Sequence, residues 1–200
     1  PATILANYLR ENRIIPEKND LNSILFLLTP AENTEKMNQL VSTLVKFEEF
    51  IKNNAPLKDV LPTLYDKYKY RYENYTIRQL CQEMHDFYKK HDAKKYQKEL
   101  FRQKSFPTQA MLPREANIEL VRNNAELVPL KNIVGKVALQ GALPYPPGVF
   151  CVVPGEIWNE IAQKYFLILE EGINIFPGFS PEIQGVYLEE ENGVTKAYGY

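Results

Sequence analysis

The 200-residue chain predicts an α+β fold, on three observations. Helical and strand-like apolar periodicities alternate along it with no internal repeat. Short strand patterns are bracketed by proline and glycine, most densely in LPYPPGVFCVVPGE at residues 143–156. The closing stretch VYLEEENGVTKAYGY places Asn192-Gly193 between two strand patterns, the signature of a hairpin with a type I′ turn.

Pro1 suits the first turn of a helix, where its missing N–H is not needed. Ile4, Leu5, Tyr8 and Leu9 then form an apolar stripe, and Asn12 is placed to cap it. Ile14-Ile15 reads as a short strand, residues 16–22 as a polar turn, and SILFLLT (Ser23–Thr29) as a buried strand. Asn33 or Thr34 caps the next helix, whose stripe is Met37, Leu40, Val41, Leu44, Phe47, Glu48 and Ile51. Helix, strand, strand, helix over residues 1–54 is half of a sheet-and-helix subdomain. The seam is predicted at Pro56–Pro62, so the domains are 1–54 and 55–200.

Beyond the seam, Thr76-Ile77-Arg78-Gln79 fits a T-x-x-Q capping box, followed by the stripe Ile77, Leu80, Cys81, Met84, Phe87 and Tyr88. Lys94–Lys104 reads as a second helix, and Pro113 begins a third with Ala116, Leu120 and Val121 on one side. IVGKVAL (133–139) reads as a strand. Val149–Val153 reads as a strand buried on both faces between two rigid turns. Glu156–Glu171 is predicted helical with Ile157, Trp158, Ile161, Tyr165, Ile168 and Leu169 inward and Gly172 as its stop.

Composition narrows the function classes. An apolar fraction of 44% with 24% charged residues is that of a globular chain. The net charge of −1 gives no electrostatic case for nucleic acid or an anionic membrane. No apolar run approaches the roughly 20 residues that span a bilayer, and PATILANYLR lacks the layout of a signal peptide. Cys81 and Cys151 lie in apolar patterns without a CxxC, as free thiols of a cytoplasmic protein do. The 13 tyrosines point to half-buried surfaces and an interface. Both ends fall where an element pattern is already running, so the chain is expected to be a piece of something longer.

Four stretches together carry a resemblance: PATILANYLRENRIIPEKNDLNSILFLLTP, RYENYTIRQLCQEMHDFYKK, GALPYPPGVFCVVPGE and EEGINIFPGFSPEIQGVY. The chain resembles, over essentially all its length, the bacterial pyridoxal-phosphate-dependent ornithine, lysine and arginine decarboxylases. Residues 19–30 and the segment Ile175–Phe179 favour the ornithine branch over the lysine and arginine ones. The resemblance implies the end of the small subdomain of an aminotransferase-like (fold type I) enzyme over 1–54, then the family's own C-terminal domain over 55–200. It implies pyridoxal phosphate as cofactor, ornithine as substrate, a homo-oligomer and a cytoplasmic location. The family's Ser-x-His-Lys anchor for the cofactor does not occur here, since neither His85 nor His91 precedes a lysine. The isolated chain is therefore expected to be inactive; a non-catalytic assembly module is the alternative for it.

Site residues follow from chemistry and resemblance together. A diamino acid needs a carboxylate at the far end of its pocket to accept from its distal ammonium. The resemblance gives that task to Glu17 in the turn Ile15-Pro16-Glu17-Lys18, which read alone is a solvated turn carboxylate beside Lys18. It also suggests that Tyr145, Pro146, Pro147, Gly148 and Glu156 lie at the active-site mouth or a subunit contact. On the residues alone the prolines form a rigid corner and Glu156 a favourable charge at a helix start. His85 reads as a boundary residue, with no partners at metal spacing, and Cys151 as inert.

Overall fold

A computed structural model describes residues 1–30, 33–145 and 148–200. Its packing divides into two compact units, residues 1–87 with Pro177–Phe179, and residues 88–176 with 180–200.

The first unit begins with α1 (Ala2–Glu11), which buries Ile4, Ala6, Tyr8 and Leu9. Asn12 caps it as expected, its side-chain Nδ2 donating to the Tyr8 carbonyl at 2.8 Å. The backbone then closes the helix end: Arg13 takes a positive φ of 63° and the Ile14 N–H donates to Leu9 O. Ile14-Ile15 is thereby used in leaving the helix and is not a strand. Pairing starts later, between β1 (Lys18–Asn19) and β2 (Ile24–Leu25). The apolar run 23–29 is likewise not a buried strand. Only Ile24 and Leu25 pair as a strand, and Leu25, Leu27 and Leu28 are 50%, 70% and 62% exposed.

Helix α2 (Thr34–Lys52) starts where Asn33 accepts from the Lys36 N–H at 2.9 Å. It has the expected amphipathic spacing but no buried residue. Phe47 and Phe50 meet the Tyr8 ring at centroid distances of 5.0 and 6.1 Å. Three short helices follow: α3 (Leu57–Val60), α4 (Pro62–Lys67) and α5 (Lys69–Tyr72). The carboxylate of Glu11 accepts from the Thr63 and Leu64 N–H groups, at 3.1 and 2.9 Å, and so caps α4 from a distant part of the chain. Helix α6 (Ile77–Lys90) opens with the expected box, Gln79 Oε1 accepting from the Thr76 N–H at 2.9 Å. Ile77, Leu80, Met84 and Phe87 are buried along it.

The second unit contains α7 (Ala93–Glu99), β3 (Thr108–Gln109), α8 (Pro113–Val121), β4 (Val128–Pro129), β5 (Leu143–Tyr145), β6 (Glu156–Ile157), α9 (Glu160–Ile175), β7 (Glu182–Gln184), β8 (Val186–Glu191) and β9 (Val194–Gly199). All pairings are antiparallel: β3 with β6, β5 with β7, and the small sheet β4-β9-β8. The core gathers Trp158, Tyr165, Phe166 and Leu169 against Ile133, Val152, Val186 and Ala197. Trp158 and Phe166 pack edge to face at 5.6 Å. The hairpin turn is as read, with Asn192 and Gly193 at φ 53° and 77°.

Four expectations are corrected here. The helix from Lys94 ends at Glu99, because Arg102 turns extended before the tight turn Gln103–Ser105. Residues 133–139 form one isolated bridge at Val137 rather than a strand, since Gly135 at φ 83° turns the chain. Val149–Val153 is a return loop: Val152 alone bridges to Ala142, while Val149 and Phe150 are half exposed. The long helix begins at Glu160 rather than Glu156, because Asn159 caps it by accepting from the Ala162 N–H at 2.9 Å. Gly172 is buried within that helix, which runs on to Ile175.

Candidate functional site

Glu17 follows the buried Pro16 and stands exposed at the start of the β1–β2 ladder. Its N–H donates to Leu25 O at 2.9 Å, next to the Lys18↔Leu25 pair, so backbone pairing fixes its position. Its carboxylate has no hydrogen bond or ion pair among the described residues. The arrangement is a carboxylate on a pinned turn, with its acceptor oxygens available to a cation.

The 143–156 segment is a corner built in the second unit. Tyr145 closes β5, opposite Glu182, and is half buried. Gly148 takes φ 76° and donates its N–H to Pro144 O at 3.0 Å. A Cβ there would meet the Tyr145 ring at 2.8 Å, so the absent side chain is what lets the chain fold back over that ring. Pro146 and Pro147 lie outside the described residues. Gly155 at φ 90° is tighter still, since a Cβ would run into the Met111 carbonyl oxygen. Its own carbonyl accepts from Ala110 and Met111 at 2.8 and 3.1 Å, and its N–H donates to Ala138 O at 2.7 Å. Glu156 folds onto this turn, its carboxylate accepting from the Val153 N–H at 2.7 Å. That carboxylate ties a turn rather than charging a helix start. Tyr145 and Gly148 thus share one turn and Glu156 ties another at Gly155, whereas Glu17 belongs to the first unit.

Other groups sort themselves by burial. Burial pushes the Cys151 thiol up to about 12 and raises the Cys81 thiol as well, and both are free. Sequence reading passed over a cluster in the first unit. Arg71 donates to the Tyr75 hydroxyl at 2.6 Å and to Glu83 at 2.5 Å, and Tyr75 donates to Glu83 at 2.9 Å. The guanidinium also lies over the Tyr72 and Tyr75 rings, at 5.3 and 5.1 Å. Arg71 and Tyr75 at i,i+4 were a readable signal, but Glu83 is twelve residues from Arg71 and needed the fold. The set braces the turn between α5 and α6.

Among the described residues no group of three or more His, Cys, Asp or Glu could hold a metal ion, and no helix is long and apolar enough to cross a membrane. The chain contains no Ser-x-His-Lys tetrapeptide, so the residues present do not fit a pyridoxal-phosphate anchor of that kind.

Comparison with known proteins adds a family signal to this geometry. Residues 94–200 match the family described as Orn/Lys/Arg decarboxylase, C-terminal domain, and residues 1–36 match its major domain. The chain is 64% identical over 201 residues to an ornithine decarboxylase of Haemophilus influenzae and 59% identical to the constitutive ornithine decarboxylase of Escherichia coli, matched along 100% of its own length in each case. It is 33% identical to a lysine decarboxylase of Pseudomonas aeruginosa, with 96% of this chain and 26% of that protein covered. The solved structure of lysine decarboxylase A from Pseudomonas aeruginosa superimposes with a TM-score of 0.90 at 30% identity, covering 100% of this chain and 27% of that one. The chain spans 28% of the length of the two ornithine decarboxylases.

Proposed function

This chain belongs to the Orn/Lys/Arg decarboxylase family, and from that membership we propose that it is part of a pyridoxal-phosphate-dependent ornithine decarboxylase that releases CO₂ from L-ornithine to give putrescine. The observation that carries the choice of substrate is the gap between 64% and 59% identity to proteins named ornithine decarboxylase and 33% to one named lysine decarboxylase. The cofactor supplies the electron sink for decarboxylation and is held by residues outside these 200. Residues 1–54 are then the tail of the small subdomain and 55–200 the family's C-terminal domain.

Within that enzyme, Glu17 accepts from the distal ammonium of ornithine. Its exposure on a backbone-pinned turn supports this role. Tyr145, Gly148 and Glu156 belong to the active-site mouth or a subunit contact. The half-exposed Val149 and Phe150 on the same loop support a surface that another part of the assembly covers. The enzyme is a cytoplasmic homo-oligomer that acts on a small amino acid and engages neither nucleic acid nor membrane.

The test is CO₂ release by the full-length enzyme from ornithine, lysine and arginine. We expect kcat/KM for ornithine to exceed the others at least tenfold; parity with lysine would remove the ornithine assignment. A second reading concerns the 200 residues alone. The absent Ser-x-His-Lys favours a folded assembly module without catalysis of its own. Added pyridoxal phosphate should then give no visible absorbance from a specifically bound lysine.

A further inference from the structure

Trp158 is the chain's single tryptophan. It is 1% exposed, and its indole Nε1 has no hydrogen-bond partner among the described residues. A buried donor without an acceptor gives up its hydration and gains nothing in return. The residue is held in place. Its N–H donates to Lys136 O and its carbonyl accepts from the Gly135 N–H, each at 2.9 Å, and its ring packs edge to face on Phe166.

Two observations aim that donor at a cavity. Trp158 lines a pocket of about 190 Å³ in the second unit, between residues 124–128, the loop 133–139 and the end of β9. Gly199 lies on the same wall, facing the indole edge that carries Nε1. A Cβ at 199 would come within 3.4 Å of Trp158 Cζ2 and 3.8 Å of Cε2, the carbon bonded to Nε1. The missing side chain is what leaves the space beside the N–H open.

The remaining walls divide by chemistry. Val128, Ile133, Val137 and Leu139 give an apolar side. Glu126 and Lys136 also line the pocket, and the side chain of neither has a hydrogen bond or ion pair among the described residues. One carboxylate, one ammonium and one buried donor are matched by a small molecule that carries both charges. An anion alone would face the Glu126 carboxylate, and an amine alone would leave the indole N–H without an acceptor. The volume exceeds the roughly 30 Å³ share of one water. It falls short of the roughly 300–1,000 Å³ of larger ligand sites.

We propose that this pocket binds a free α-amino acid with an aliphatic side chain. Its carboxylate accepts from Trp158 Nε1–H and from Lys136, its ammonium donates to Glu126, and its side chain lies on the apolar wall. The site is independent of the decarboxylase reading and of Glu17.

The test uses the 200-residue chain carrying isotope-labelled tryptophan, whose one indole cross-peak reports on Trp158 alone. The probes are L-leucine, isocaproate (leucine without its amine) and isoamylamine (leucine without its carboxylate). Leucine should shift the peak downfield and saturably. It should bind roughly tenfold or more tighter than either fragment, since each lacks one charged group. Glu126→Gln and Lys136→Gln should each weaken leucine at least tenfold while keeping the parent's circular dichroism, because both side chains are exposed. The wild-type peak needs no variant. Calorimetry on the full-length enzyme should repeat the ranking and the loss in Glu126→Gln. An unmoved peak, parity of leucine with either fragment, or unchanged affinity in either variant would each overturn the site. So would binding confined to the 200-residue chain.

Discussion

Glu17 gains its placement from its neighbours: a buried proline before it and a backbone bond to Leu25 through its own N–H. Its side chain contributes nothing visible to folding, so Glu17→Gln in the full-length enzyme should leave stability unchanged. A charged hydrogen bond to the distal ammonium of ornithine is worth roughly 1.5–3 kcal/mol. Its loss should lower kcat/KM about tenfold to a hundredfold, mainly through KM, and unchanged kinetics would take Glu17 out of the substrate pocket. Cys151 makes the opposite case, a reactive residue type silenced by its surroundings. Thiol titration of the denatured, non-reduced protein should find two free thiols, whereas native Cys151 should alkylate far more slowly. The sign of its pH effect follows from the raised value. The folded state favours the neutral thiol, so its contribution is full below the unfolded value near 9 and is lost as pH rises toward 12. Wild type should therefore lose stability relative to Cys151→Ala between pH 9 and 11, measured by urea denaturation.

At the scale of elements, the corner around residues 143–156 rests on backbone that only glycine adopts easily. Gly155→Ala would strain a positive φ and drive a Cβ into the Met111 carbonyl. A cost of about 2 kcal/mol or more is expected in chemical denaturation. Gly193→Ala, with open space around its Cα, faces only the dihedral strain and should cost less. The same comparison explains what the sequence could and could not disclose. Local chemistry was readable: the Asn12 cap, the Thr76–Gln79 box and the Asn192-Gly193 turn each act within a few residues. Elements whose limits depend on distant partners were not. Glu156-Ile157 has a helix-compatible pattern, yet β3 claims it as a strand, and Asn159 then takes the cap. Val149–Val153 satisfies the composition of a buried strand, but only Val152 forms a β-bridge. The candidate site divides the same way. Glu17 was singled out by the family resemblance, since its turn read alone is a solvated carboxylate, while the turn-tying role of Glu156 required tertiary placement.

Across the whole molecule, both units expose large apolar side chains. Ile15, Leu25, Leu27, Leu28, Val41 and Val45 are all between 49% and 83% exposed. Such surface drives association, so the 200-residue chain should self-associate at high concentration. Light scattering that finds a strict monomer would refute this. Substituting Leu27 and Leu28 by Ser should shift the equilibrium toward monomer without unfolding the second unit. Hydrogen exchange should run faster through residues 23–29 than through α9, whose inner face is buried. Helix α2 has a further consequence, for how the polypeptide is degraded. Nineteen residues with no buried side chain lose little packing on opening locally, so a broad-specificity protease should meet this helix open far more often than α9. Under limiting digestion with subtilisin, the first scissions should fall within residues 34–52 and leave a resistant fragment that contains the second unit.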